Sequence, residues 1–133
     1  MRNFILATFL VTSLGAGAEL FLLEHMEDFW QWVPLVLILI SSALIGWLHL
    51  FPNKTLEQIF YGLMLLSILS AALGIYFHLK GNIEFELEMY PNMSGLKLVW
   101  ESLKGATPAL APGTMLASGM IGLLYLRVSK TDN

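Results

Sequence analysis

Four long apolar runs, at 4–23, 32–51, 59–79 and 109–126, constrain this chain more than any other feature. A hydrocarbon core of about 30 Å is crossed by roughly 20 helical residues, with about 17 as the lower limit. Each run reaches that length, the last only just. The runs are continuously apolar rather than alternating, which excludes the strands of a membrane β-barrel. Of 133 residues, 56% are hydrophobic and 13% charged, against roughly 45–50% and roughly 25% in soluble domains. A soluble domain of this size has too little interior to hide so much apolar surface. The expectation is an all-α integral membrane protein: a single membrane domain over 1–133, with helices at about 4–24, 32–51, 56–79 and 108–127. They would form a four-transmembrane-helix bundle, with an extracytoplasmic loop at 80–107.

The first run resembles a secretory leader, with Arg2 in front and Ala16-Gly17-Ala18 as a cleavage signal. It nevertheless continues through Leu20-Phe21-Leu22-Leu23, so it is read as a span. Positive residues set orientation. With the N-terminus inside, the cytoplasmic side holds Arg2, Lys54, Arg127 and Lys130, and the outside holds Lys80, Lys97 and Lys104. Arg2 before the first helix and Glu24, Glu27 and Asp28 after it agree with that choice. Both termini are then cytoplasmic. The plan is similar to that of small bacterial inner-membrane proteins, and no motif points to a particular family.

The loop at 80–107 carries the only sizeable non-spanning sequence. Gly81-Asn82 is a turn signal. Beyond it Ile83, Phe85, Leu87 and Met89 alternate with Glu84, Glu86 and Glu88. That period of two predicts a short strand with one apolar and one carboxylate face. After Tyr90-Pro91-Asn92, the residues Leu96, Val99, Trp100 and Leu103 recur at helical spacing. They predict a short amphipathic helix lying in the membrane interface. Gly105, Ala109, Gly113 and Ala117 follow at four-residue steps, a strip of small residues along one helix face. Such strips let helices approach closely, within one chain or between copies.

Candidate chemistry concentrates at the outer end. Glu19 lies about one turn inside the first span, on a face with Thr8, Thr12 and Gly15. Ionisable groups at that depth usually face a bundle interior or a wet cavity. Two readings stand side by side: a cation-binding or proton-carrying carboxylate, and a headgroup-level carboxylate that reaches water. His25 and His78 fall near the same outer level. With Glu19, Glu24, Asp28 and Glu88 they make a candidate metal set, since mixed imidazole and carboxylate ligands suit zinc, manganese or iron. Haem held by His25 and His78 is a further cofactor option, beside the simpler expectation of no cofactor. The Glu-x-x-His pairs of di-iron bundles are missing, because Leu22 and Ile75 precede the two histidines by three residues.

Other classes are excluded more firmly. With no cysteine, disulfides, thiolate zinc sites and cysteine nucleophiles are ruled out. A net charge of −3 provides no basic field for nucleic acid. No nucleophile elbow, phosphate loop or HExxH helix occurs. The leading expectation is therefore a non-enzymatic accessory or interaction subunit of a membrane assembly, contacting lipid and other membrane subunits or itself. The alternatives are a metal-handling or redox membrane protein using the outer Glu/His set, and an oligomeric small transporter or pore.

Overall fold

Asp28 and Asn53 start two of the long helices. The Asp28 carboxylate accepts from the Gln31 N–H at 3.1 Å, and the Gln31 side chain accepts from the Glu27 N–H at 2.6 Å. Asn53 Oδ1 accepts from both Thr55 and Leu56 N–H groups, at 2.9 and 3.1 Å. Each cap satisfies donors that a helix N-terminus leaves without a partner. The computed structural model describes residues 1–24, 26–107 and 109–131, the Thr131 side chain excepted. Among these residues there are five helices: α1 (Arg2–Leu22), α2 (Phe29–Leu50), α3 (Lys54–Met89), α4 (Gly95–Leu103) and α5 (Gly113–Thr131). Helices α1, α2, α3 and α5 pack in cyclic order, each against the next, and α4 packs on α3.

Two parts of the expected fold are corrected. No strand exists among the described residues: 83–89 is the last part of α3, which runs unbroken for 36 residues. The period-two pattern lost to intrinsic preference. Glu84, Glu86, Leu87, Glu88 and Met89 are good helix formers, and only Ile83 and Phe85 favour a pleated strand. Lys80 and Glu84, one helical turn apart, lie 3.6 Å from each other. Gly81 costs the helix about 1 kcal/mol relative to alanine, and the bonds made by Asn82 offset it, as described below.

The second correction concerns the number of spans. Three helices, α1, α2 and α3, are long and apolar enough to cross a membrane, and α5 is not among them. The apolar run at 109–126 does not become one rod. Residues 109–112 form turns, and the helix begins only at Gly113, behind Pro112. Proline has no N–H to give and its ring obstructs the preceding turn, so it stands at a helix start rather than within. Arg127 and Lys130 then occupy the far end of α5, and Ser118, Gly119, Gly122, Tyr125 and Ser129 lower its apolar character. The small-residue strip is divided for the same reason: Gly105 and Ala109 precede α5, and only Gly113 and Ala117 lie on it.

Gly119 and Gly122 let α5 approach α3 closely. A Cβ at Gly119 would sit 2.7 Å from Ile68 Cγ1 and 3.0 Å from the Met64 carbonyl oxygen of α3. One at Gly122 would collide with the Met64 sulfur. Two apolar clusters fill the centre. Ile5, Phe9, Ile45, Leu48, Phe60, Met64, Tyr125 and Leu126 form one, and Ala16, Leu37, Ile38, Ala71 and Met115 the other. Phe9 and Phe60 meet edge to face at 5.8 Å in the first. Ser13 of α1 donates to Ser118 of α5 at 3.1 Å, while Ser41 and Ser67 donate back to carbonyls of their own helices.

Outside, the surface is apolar. Val11 is 75% exposed, Leu22 80%, Leu39 64% and Met120 61%. The total accessible surface is 8698 Å², against about 7,000 Å² for a compact soluble protein of this mass. Helix α3 measures about 54 Å at 1.5 Å per residue, well beyond the roughly 30 Å of a hydrocarbon core.

Candidate functional site

The extension of α3 positions α4 through one side chain. Asn82 is buried, and its amide nitrogen donates to the Ser102 and Thr107 carbonyls at 2.9 and 2.7 Å. Its carbonyl oxygen accepts from the Thr107 N–H at 3.1 Å and the Thr107 hydroxyl at 2.7 Å. Gly105 lies against this amide, with no room for a Cβ, which would fall 2.5 Å from Asn82 Cγ. The loop after α4 is thereby pinned to the side of α3. Helix α4 leaves most of its apolar residues exposed, Leu96 at 89% and Trp100 at 61%, with Val99 and Leu103 also exposed and Leu98 half-buried. Lys104, bonded to Glu101 at 2.9 Å, lies 5.6 Å from the Trp100 ring centre.

The described members of the expected outer-end ligand set are spread over several elements. Glu19 is exposed in the last turn of α1. The inward face of that helix is Ile5, Phe9, Ser13 and Ala16, not the face of Thr8, Thr12, Gly15 and Glu19. Thr8 instead donates to the Phe4 carbonyl at 2.9 Å. Glu24 follows α1 with a positive φ of 52°. The Asp28 carboxylate caps α2. His78 is half-buried in α3, and Glu88 is exposed in its last turn. His25 lies outside the described residues. Among the described residues no three histidine or acidic side chains group as a metal centre would require.

A sizeable groove lies at the opposite end. It has a volume of about 960 Å³ and opens between the start of α3 and the end of α5. Lys54, Arg127 and Lys130 line it, with Glu57 and Gln58 beside them and Tyr61, Leu123 and Leu126 as its apolar part. A narrow cleft next to it is lined by Arg2, Leu48, Glu57, Tyr125 and Ser129. His49 Nδ1 lies 3.1 Å from the Tyr125 hydroxyl, joining α2 to α5 at this level. The four cations Arg2, Lys54, Arg127 and Lys130 thus share one end of the molecule. Lys80 is about 39 Å along α3 from Lys54 by helical rise.

No family model, curated protein or solved structure matches this chain. Its chemistry is therefore read from its own residues. Neither Asn82 nor the groove is legible from sequence, for different reasons. Gly81-Asn82 carries a turn signal, which points to a loop rather than to the interior of a helix. The groove joins residues more than sixty positions apart, and only their common charge sign was legible beforehand.

Proposed function

We propose that this protein is a non-enzymatic accessory or interaction subunit of a membrane assembly, held in a bacterial inner membrane with both termini cytoplasmic. The observation that carries the reading is the contrast between inside and outside. Several polar side chains that reach the interior bond to one another or to the backbone, as Ser13 does to Ser118 and Asn82 to Thr107, while the buried Ser42, Ser102 and Ser129 hydroxyls have no hydrogen-bond partner among the described residues. The bonded ones act as fasteners of a packed scaffold. Large apolar side chains point outward along the three long helices, and α4 adds Leu96, Val99, Trp100 and Leu103 at the acidic end. Hydrocarbon and neighbouring subunits are the surroundings in which such a surface is stable.

Orientation rests on the gathering of Arg2, Lys54, Arg127 and Lys130 at one end, which supports a cytoplasmic position for it. Trp100 suits the headgroup level at the other face. The test is native mass spectrometry and blue-native electrophoresis of protein extracted in mild detergent. A defined complex, with a partner or with further copies, is the expected result. A lone monomer under every mild extraction would overturn the reading, as would protein that stays monodisperse in buffer without amphiphile.

A further inference from the structure

We propose that the groove between α3 and α5 is a binding site for the phosphate-bearing headgroup of an anionic glycerophospholipid. The inference rests on the membrane reading above, and a different measurement tests it. Three cations, Lys54, Arg127 and Lys130, line one cavity with a single carboxylate, Glu57. The excess charge is positive in a chain whose net charge is −3. Arg127 and Lys130 are exposed, one helical turn apart on α5, and Lys54 opposes them from the first turn of α3. Guanidinium and ammonium groups so placed can grip one phosphate from two sides.

The backbone donors at the start of α3 are not what would hold the anion. Asn53 already engages the Thr55 and Leu56 N–H groups. Recognition falls to the side chains.

The apolar part of the groove makes the ligand a lipid rather than a free phosphate. Tyr61, Leu123 and Leu126 lie beside the cations. From Tyr61 the exposed Leu65 and Leu69 continue at four-residue steps along α3. From Leu123 the exposed Met120 and Leu116 continue along α5. An acyl chain lying along these exposed side chains would leave its headgroup among Lys54, Arg127 and Lys130. Basic pockets between membrane helices on the cytoplasmic side bind anionic headgroups by this combination.

The test uses the full chain in mild detergent, with lipid retention read by native mass spectrometry at fixed ionic strength. Phosphatidylglycerol and phosphatidylcholine of equal chain length are the probes. The wild type is expected to retain phosphatidylglycerol at least about tenfold better. Each cation near an anionic headgroup contributes about a fivefold preference. Arg127→Gln with Lys130→Gln should therefore remove most of it, and Lys54→Gln alone a part. Lys80→Gln with Lys97→Gln removes the same charge elsewhere and should change nothing. Circular dichroism confirms that each variant is folded before it is scored. Equal retention of the two lipids overturns the proposal. So does an equal loss in the Lys80/Lys97 control, which would make the effect one of net charge. Release of bound lipid by millimolar inorganic phosphate would also overturn it, since the groove would then read phosphate alone. Loss of lipid preference in a protein that still forms its complex would strike this inference and leave the proposed function standing.

Discussion

Asn82 and Thr107, one on α3 and the other in the loop after α4, hold each other by complementary amide contacts. Asn82 Nδ2 donates to the Thr107 carbonyl at 2.7 Å, and the Thr107 N–H and hydroxyl both donate to Asn82 Oδ1, at 3.1 and 2.7 Å. A single side chain thus replaces the backbone pairing that the irregular segment lacks. Its fourth contact, to the Ser102 carbonyl at 2.9 Å, fastens the end of α4 as well.

Replacing Asn82 should therefore release α4 while sparing the long helices. Asn82→Ala removes the donor to the Ser102 and Thr107 carbonyls and the acceptor of the Thr107 N–H, at about 1–3 kcal/mol. Amides across 95–107 should exchange faster with deuterium, and those of α1 and α2 should not change. Gly105→Ala should give the same pattern, because the new Cβ would meet the Asn82 amide. Unaltered exchange in both variants would mean that the Asn82 contacts do not hold the cap.

Glycines on α5 and elsewhere should respond with opposite sign. Gly119→Ala places a Cβ against the Met64 carbonyl oxygen, a backbone atom that cannot rotate away. Overpacking of that kind costs about 1–3 kcal/mol. Gly122→Ala meets the flexible Met64 side chain and should cost less. Gly46 and Gly62 face open space in α2 and α3. Alanine there should be neutral or stabilising by up to about 1 kcal/mol. Thermal unfolding in detergent ranks the four variants.

His49 and Tyr125 should be energetically coupled. Tyr125→Phe removes the hydroxyl 3.1 Å from His49 Nδ1. A typical hydrogen bond contributes about 0.5–1.5 kcal/mol net. A double-mutant cycle of Tyr125→Phe with His49→Leu should return a coupling energy in that range. A value near zero would show that the contact does not stabilise the fold.

Helical geometry over 83–89 can be read directly. Spin labels at Glu84 and Glu88 should have Cα atoms about 6 Å apart along a helix, against about 13 Å along a strand. Strong dipolar broadening in continuous-wave spectra is the expected result. The same labels at Glu84 and Glu86 serve as the reference pair.

Much of the helical architecture was legible because hydrophobic length and caps are local. The first two apolar runs became α1 and α2 within a few residues, and Asn53 at the 52–54 turn starts α3. The amphipathic spacing of Leu96, Val99, Trp100 and Leu103 falls within α4. Local patterns mislead where they compete with an intrinsic preference or a distant contact. Alternation at 83–89 looked like a strand, yet Glu, Leu and Met favour a helix and Asn82 ties that helix to α4. The run at 109–126 was long enough on composition alone, but turns through Pro112 consumed its beginning. Sites are less legible than helices, since ligation and grooves need side chains from separate elements. The Asp28 carboxylate, a candidate ligand by residue type, is engaged as a helix cap.

By itself the sequence determined that the chain is mostly helical and rich in apolar runs of membrane-crossing length; that three helices rather than four are long and apolar enough, and that 83–89 is helix, came from the structure. The sequence also determined which end carries Arg2, Lys54, Arg127 and Lys130 once the helices alternate in direction. These properties follow from composition over one or two dozen consecutive residues. Tertiary structure decided the rest: that Gly119 and Gly122 form the close contact of α5 with α3, that Asn82 clamps the cap, and that Lys54 and Arg127 line one groove. Each of these depends on which residues meet across helices far apart in sequence, and packing selects those meetings from many that periodicity alone allows.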